Sequence, residues 1–380
     1  MIMSSAGMAG VDAASRLVRY EDLIPCREAF VDCKLPGSET KINYSIIGTG
    51  VAESGEQVVN ITEPHGFALG VAAMPHGVTN NLHIHFTAEV FMIYRGEWLF
   101  RWGPDGKDGE ILGRAGDVLS IPTWVFRGFT NVGPDNSWIF TLLGRDESGG
   151  LIWHPTILAG AAEHGLYLKR DHVLVDTTTG AQKPADDELV TPLTRDAIDA
   201  LRRYSEADMR ARMVTADELV WSDAAFLDHQ LPGHRSALAP VIGHGLSEDR
   251  NANAKIMNAH GFSVDWLRID PGQQLGPFKI SEKQVMIVRQ GSVEIELGRG
   301  AGSSRVVAEP WATYSAPGGC WRTFRSIGDD PLIVSLTTSG DARPVIEWDN
   351  DIVAAARAAG TAHDANGYLA PAALLPGAKG

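Results

Sequence analysis

A duplication with a fixed offset constrains this chain more than any single motif. Glu63-Pro-His-Gly-Phe67 recurs as Asn258-Ala-His-Gly-Phe262, and 260 minus 65 sets the offset at 195. The same step carries Gly48 to Gly243, Gly77 to Gly272, Gly96 to Gly291, Pro122 to Pro317, Arg127 to Arg322, Phe129 to Phe324 and Gly133 to Gly328. Leu35-Pro-Gly37 meets Leu231-Pro-Gly233 one residue out of step. Repetition at a fixed offset means one structural unit built twice, so most of the 380 residues are read as two homologous modules.

Within each module the local pattern is that of strands. Glu89-Val-Phe-Met-Ile-Tyr94, Trp98-Leu-Phe-Arg-Trp102 and Trp138-Ile-Phe-Thr-Leu-Leu143 are short aromatic or β-branched runs, and the second copy offers Val285-Met-Ile-Val288, Val293-Glu-Ile-Glu-Leu297 and Leu332-Ile-Val-Ser-Leu336. With 41 glycines and 20 prolines to make turns, an all-helical bundle is excluded and each module is read as a β-sandwich or small barrel. Helical signals lie outside the modules. Thr194 is placed as the N-cap of a connector helix carrying Ile198 and Leu201, after the polar stretch Thr177–Pro184, and Asp351–Ala359 reads as a terminal helix stopped by Gly360 and followed by a loose tail. The expected division is an N-terminal arm over 1–30, a first barrel over 31–160, a connector over 161–225, a second barrel over 226–345 and a helix with tail over 346–380.

Charge and cysteine content exclude several classes. A net charge of -14 with no long basic run argues against a nucleic-acid groove or an anionic membrane surface. No uninterrupted apolar stretch reaches about 18 residues, and the first residues lack a charged segment leading into an apolar one. Cys26, Cys33 and Cys320 form an odd set without metal-type spacing, which suits reduced thiols and a cytoplasmic setting better than a Cys26–Cys33 disulfide. P-loop, dinucleotide-binding, nucleophile-elbow and zinc-helix motifs are missing from the sequence.

The chemistry-bearing pattern is His83-Ile-His85 with Glu89 four residues on. Residues two apart on a strand share a face, so both imidazoles and the carboxylate point into the same interior. Two histidines and one carboxylate on a common face suit Fe(II), Mn(II), Ni(II) or Zn(II), and leave coordination positions open. In the second copy the offset lands on Phe278, Ile280 and Gln284. That copy is expected to bind no metal there.

The run Gly77-x5-His83-x-His85-x3-Glu89-x6-Gly96, with Gly116-x5-Pro122 after it, resembles the signatures of the cupin superfamily. With the duplication, the chain is similar to a bicupin: all-β, two tandem jelly-roll barrels with a short helical connector and a C-terminal helix. One metal-binding and one silent barrel is an arrangement similar to pirin and to quercetinase-like or gentisate-like dioxygenases. The resemblance implies a single divalent transition metal, Fe(II) foremost, and a homo-oligomer. It also exposes a departure, since Trp124 stands where the family has glycine and Arg127 where it has its fourth ligand, histidine. Arginine does not ligate metals.

Arg127 has two readings: a clamp for a substrate carboxylate or phenolate, or a scaffold residue. The second is preferred because Arg322 persists in the copy that lost the ligands. By the same logic His65 and His260, present in both copies, are structural. Glu89 and Arg127 are the candidate catalytic residues, and Phe91, Ile93, Trp124 and His76 the candidate pocket residues, with His154 as a second loop histidine near the barrel mouth. The expected activity is a dioxygenase acting on a small aromatic or oxygenated molecule together with dioxygen. Two alternatives stay open: a non-redox lyase, decarboxylase or isomerase with the metal as Lewis acid, and a pirin-like regulatory protein.

Overall fold

In Glu97–Trp102, burial alternates residue by residue, with Trp98, Phe100 and Trp102 inward, as a strand with one face on a core requires. A computed structural model describes residues 12–375 and shows that this pattern builds two stacked-sheet units. Among the described residues, the unit spanning 23–218 has a five-stranded sheet ordered Leu151–Trp153, Thr79–His85, Arg127–Asn131, Glu97–Trp102, Gly109–Arg114. Its seven-stranded sheet runs Met213–Val214, Val118–Ile121, Glu89–Arg95, Ser137–Gly144, Phe67–Met74, Ile42–Ile47, Val59–Ile61. Phe91, Phe100 and Phe129 meet between the sheets at 4.9 to 5.9 Å.

The other unit comprises residues 12–22 and 219–375 and repeats that order. Its five-stranded sheet runs Glu347–Trp348, Gln274–Lys279, Arg322–Ser326, Val293–Leu297, Ser304–Ala308. Its six-stranded sheet runs Leu17–Val18, Thr313–Ala316, Gln284–Gln290, Leu332–Ser339, Phe262–Ile269, Ser236–Ile242. Each pair of equivalent strands lies about 195 residues apart, so the offset read from the sequence is the offset of the fold.

The boundaries depart from the expected ones at the edge strands. Leu17–Val18, placed in a separate N-terminal arm, pairs with Tyr314 and Thr313 of the second unit. Met213–Val214, placed in the connector, pairs with Leu119 and Val118 of the first. Arg212 fastens that edge strand through hydrogen bonds to the Ser120 carbonyl and hydroxyl at 3.0 and 2.8 Å. Two-residue strands carry no periodicity, which is why the sequence pattern passed over them.

The helical signals hold, with one correction in the tail. Thr194 caps Arg195–Asp199 by accepting from Ala197 N, and Asp349 caps the terminal helix, which spans Asn350–Ala358. Beyond Gly360 the expected loose tail is instead a hairpin, Thr361–His363 with Leu369–Pro371. The Asp364 carboxylate accepts from Asn366 N and Tyr368 N and ties the turn. The last part of the expected tail, 376–380, and the first part of the expected arm, 1–11, lie outside the described residues. Among those described, no helix is long and apolar enough to cross a membrane, and Cys26, Cys33 and Cys320 are buried and unpaired.

Candidate metal centre

The ligand candidates come from both sheets of the first unit. His83 and His85 sit on Thr79–His85, where His83 pairs across to Arg127 on one side and Trp153 on the other. Glu89 opens the next strand in the facing sheet, between Ile121 and Leu143. The short crossing between the strands brings all three side chains together, each no more than 4% exposed, with one donor atom from each inside a 4.8 Å cluster.

The donor geometry fits a metal. His83 Nε2 lies 3.0 Å from His85 Nε2, and His85 Nε2 lies 3.4 Å from Glu89 Oε1. Two ligands at right angles on an ion with bonds of about 2.1 Å are about 3.0 Å apart. His83 Nδ1 is 2.7 Å from the Asn81 carbonyl, which puts the ring proton there and leaves Nε2 as a lone pair aimed at the cluster. Burial, joined for His83 by its histidine neighbour, holds both imidazoles below their ordinary range and hence neutral. Burial raises the Glu89 pKa, but His85 and Arg127 outweigh it and hold the carboxyl at about 2. Glu89 Oε2 has no hydrogen-bond partner. Two neutral nitrogens facing each other and a charged carboxylate with an unused oxygen form a donor set that a divalent cation satisfies.

Arg127 is fully buried beside this set. Burial brings its pKa down to about 10, with Glu89 opposing, so it stays cationic at neutral pH. Its Nη2 donates to the Pro122 carbonyl at 2.7 Å, and Nη1 stands 3.9 Å from Glu89 Oε2. Arg322 repeats both relations in the second unit: 2.8 Å to the Pro317 carbonyl and 3.4 Å to Gln284 Oε1. Phe278 and Ile280 fill the places of the two histidines there and are buried apolar core.

The ligands line a cavity of about 60 Å³ whose wall also includes Lys41, Asn80, Phe129 and Trp153. The expected pocket residues lie elsewhere. Phe91 and Ile93 belong to the apolar core. Trp124 is 48% exposed, edge-on to Phe86, at a φ of 61° that disfavours a non-glycine residue. The second copy keeps glycine at that point, Gly319, with a φ of 70°. His76 is exposed with Nδ1 against the Gly133 carbonyl. His154 caps the helix Pro155–Glu163 by accepting from Thr156 N. His65 and His260 each place Nδ1 on the carbonyl two residues back and take a carboxylate on the backbone amide, from Asp146 and Asp341.

Sequence reading missed three of the groups around the cavity. Lys41, 4% exposed, reaches Asp32 at 2.5 Å and Asn80 at 2.6 Å. Trp153 packs 5.4 Å from the His83 ring and donates from Nε1 to Glu53 at 2.6 Å. Burial pushes the Glu53 carboxyl up to about 8 against its donors Trp153 and Val31 N. Glu248 and Trp348 form the same pair at 2.9 Å in the second unit, so this carboxylate belongs to the scaffold of both copies.

No family model matches the chain, and no curated relative matches it. Solved structures do. The formate complex of Lactobacillus farciminis oxalate decarboxylase aligns over 90% of both chains with a TM-score of 0.55 and 11% identity. Bacillus subtilis oxalate decarboxylase at pH 4.6 aligns over 92% of this chain and 81% of that one, with a TM-score of 0.54 and 11% identity. A further structure of the Bacillus subtilis enzyme, described with its Mn(II) centres, aligns with a TM-score of 0.54. The likeness establishes the fold, two jelly-roll domains in one chain. It singles out neither the quercetinase-like nor the pirin-like arrangement.

Proposed function

We propose that the first barrel is the catalytic half of a metal-dependent lyase or decarboxylase that cleaves a small carboxylate without net oxidation. The observation that carries this is the three-donor set, two neutral histidines and one ionised glutamate, at the wall of a 60 Å³ cavity. A cavity of about 150 Å³ takes one benzene ring, so this one favours a substrate of only a few heavy atoms. That size argues against an aromatic substrate together with dioxygen, and the fold neighbours are named as decarboxylases of oxalate. The Fe(II) dioxygenase expectation therefore yields to the non-redox alternative, and Mn(II) is the preferred ion.

His83, His85 and Glu89 would hold the ion, which supplies a Lewis acid that polarises a carboxylate or carbonyl oxygen. Around it, the Asn81 carbonyl fixes the His83 ring, and Arg127 orients Glu89 while bracing the Pro122 turn. Arg127 is a positioning residue in this reading rather than a substrate clamp, because it is absent from the cavity wall. The buried aromatic ring of Trp153 backs His83 and keeps water from that side.

The test uses protein loaded with Mn(II) and a panel of small mono- and dicarboxylates. Substrate loss is followed together with carbon dioxide release and an oxygen electrode. Turnover with no matching oxygen uptake is expected. Oxygen consumed in proportion to substrate, or no retained metal, would overturn the proposal.

A further inference from the structure

The two copies act as each other's control, because whatever the metal-bearing barrel has and its twin lacks is a candidate for chemistry rather than scaffold. The ligands pass that test, and so does one cation. Lys41 lies at the position of Ser236, and Asn80, which accepts from its ammonium, at that of Leu275. Asp32, by contrast, has a counterpart in Asp228. Asp32 accepts from Asn81 N and Asp228 from Gly276 N, and these two amides are also 195 apart. The carboxylate is therefore common architecture. In the second unit it pairs with His234, at 2.8 Å; in the first it pairs with a lysine on the wall of the ligand cavity.

We infer that Lys41 is the cavity's anion anchor, binding a carboxylate oxygen of the substrate. An ammonium carries three donors. Two are taken by Asp32 and Asn80, which fix the direction of the group, and the third has no acceptor among the described residues, with the Phe30 ring of the same cavity wall 5.0 Å from Nζ. A buried point charge held this way selects an anion over its neutral isostere, since only the anion recovers the desolvation of both partners. Asn80 sits between the anchor and the metal set, its Nδ2 3.4 Å from His83 Nδ1. Lys41 is thus a specificity-determining residue; the inference rests on reading this cavity as a small-carboxylate site.

The experiment titrates acetate and acetamide into wild-type protein, both metal-free and Mn(II)-loaded, by calorimetry. Acetate is expected to bind at least tenfold more tightly than acetamide in both forms. Lys41→Met is expected to weaken acetate at least tenfold while Mn(II) content stays unchanged. That variant strands the Asp32 charge, so Asp32→Asn/Lys41→Met is measured beside it and carries the result if the single variant misfolds. Equal affinity of wild-type protein for acetate and acetamide, or unchanged acetate affinity in a folded variant, overturns the anchor. Lys41-dependent acetate binding in protein that retains no metal upholds the anchor while sinking the proposed function.

Discussion

Arg127 donates a hydrogen bond to the carbonyl of Pro122, 2.7 Å away and five residues before it. Arg322 and Pro317 repeat that bond in a barrel without ligands, so the bond itself is independent of the metal. What differs is the residue opposite: Glu89 is ionised, Gln284 is not.

Arg127→Met is accordingly expected to lose more stability in metal-free protein than Arg322→Met, about 3–5 kcal/mol against about 1–3 kcal/mol, because it strands the ionised Glu89 in addition to breaking a buried hydrogen bond. Binding of Mn(II) should shrink the Arg127→Met loss, because the ion then neutralises Glu89. It should leave the Arg322→Met loss unchanged. Urea unfolding with and without Mn(II) measures both.

Elemental analysis should give one transition metal per chain. His83→Ala and His85→Ala each remove a donor from the cluster and should abolish retention, whereas Gln284→Ala should keep it at one. A value near two per chain would contradict a silent second barrel, where Phe278 and Ile280 offer no ligand atoms.

Stability of the second barrel should carry a pH signature from Asp265. This carboxyl sits in the place of Gly70, fully buried, with Leu246 N on one oxygen and no partner on the other. Burial raises it from 3.8 to about 7, against the Leu246 hydrogen bond. The folded protein therefore holds this proton where the unfolded chain releases it, and stability falls as pH rises from about 4 through 7. Each unit of separation is worth about 1.4 kcal/mol. Asp265→Asn should leave Tm unchanged at pH 4 and raise it at pH 8; a pH-independent difference would contradict the assignment.

Trp153→Phe and Trp348→Phe each remove the indole donor from a buried carboxylate, Glu53 or Glu248. Each should cost about 1–3 kcal/mol, measured by chemical denaturation.

The duplication and the clustering of His83, His85 and Glu89 were legible because both rest on spacing: 195 for the copies, two and four residues within the cluster. The cavity wall was not. Phe91 and Ile93 share Glu89's parity along the strand, yet strand parity does not say how deep in a barrel a side chain ends, and both lie in the packed floor. Lys41 and Asp32 are nine residues apart on different segments, so only the fold brings them together. The exchange of edge strands did leave a signal, for Arg16-Leu-Val-Arg-Tyr-Glu-Asp-Leu23 is matched by Arg212-Met-Val-Thr-Ala-Asp-Glu-Leu219 at a step of 196. Its partner across the sheet, however, cannot be read from a repeat.

That exchange bears on handling the protein. Among the described residues, the strand Thr313–Ala316 is paired along one side by Leu17 and Val18 alone. A chain shortened to begin at Leu23 keeps the barrel of His83, His85 and Glu89 whole while baring a row of backbone amides and carbonyls on the other, and such a row recruits strands from neighbouring molecules. A truncation chosen to tidy the N-terminus would thus be paid in solubility, far along the sequence from the cut.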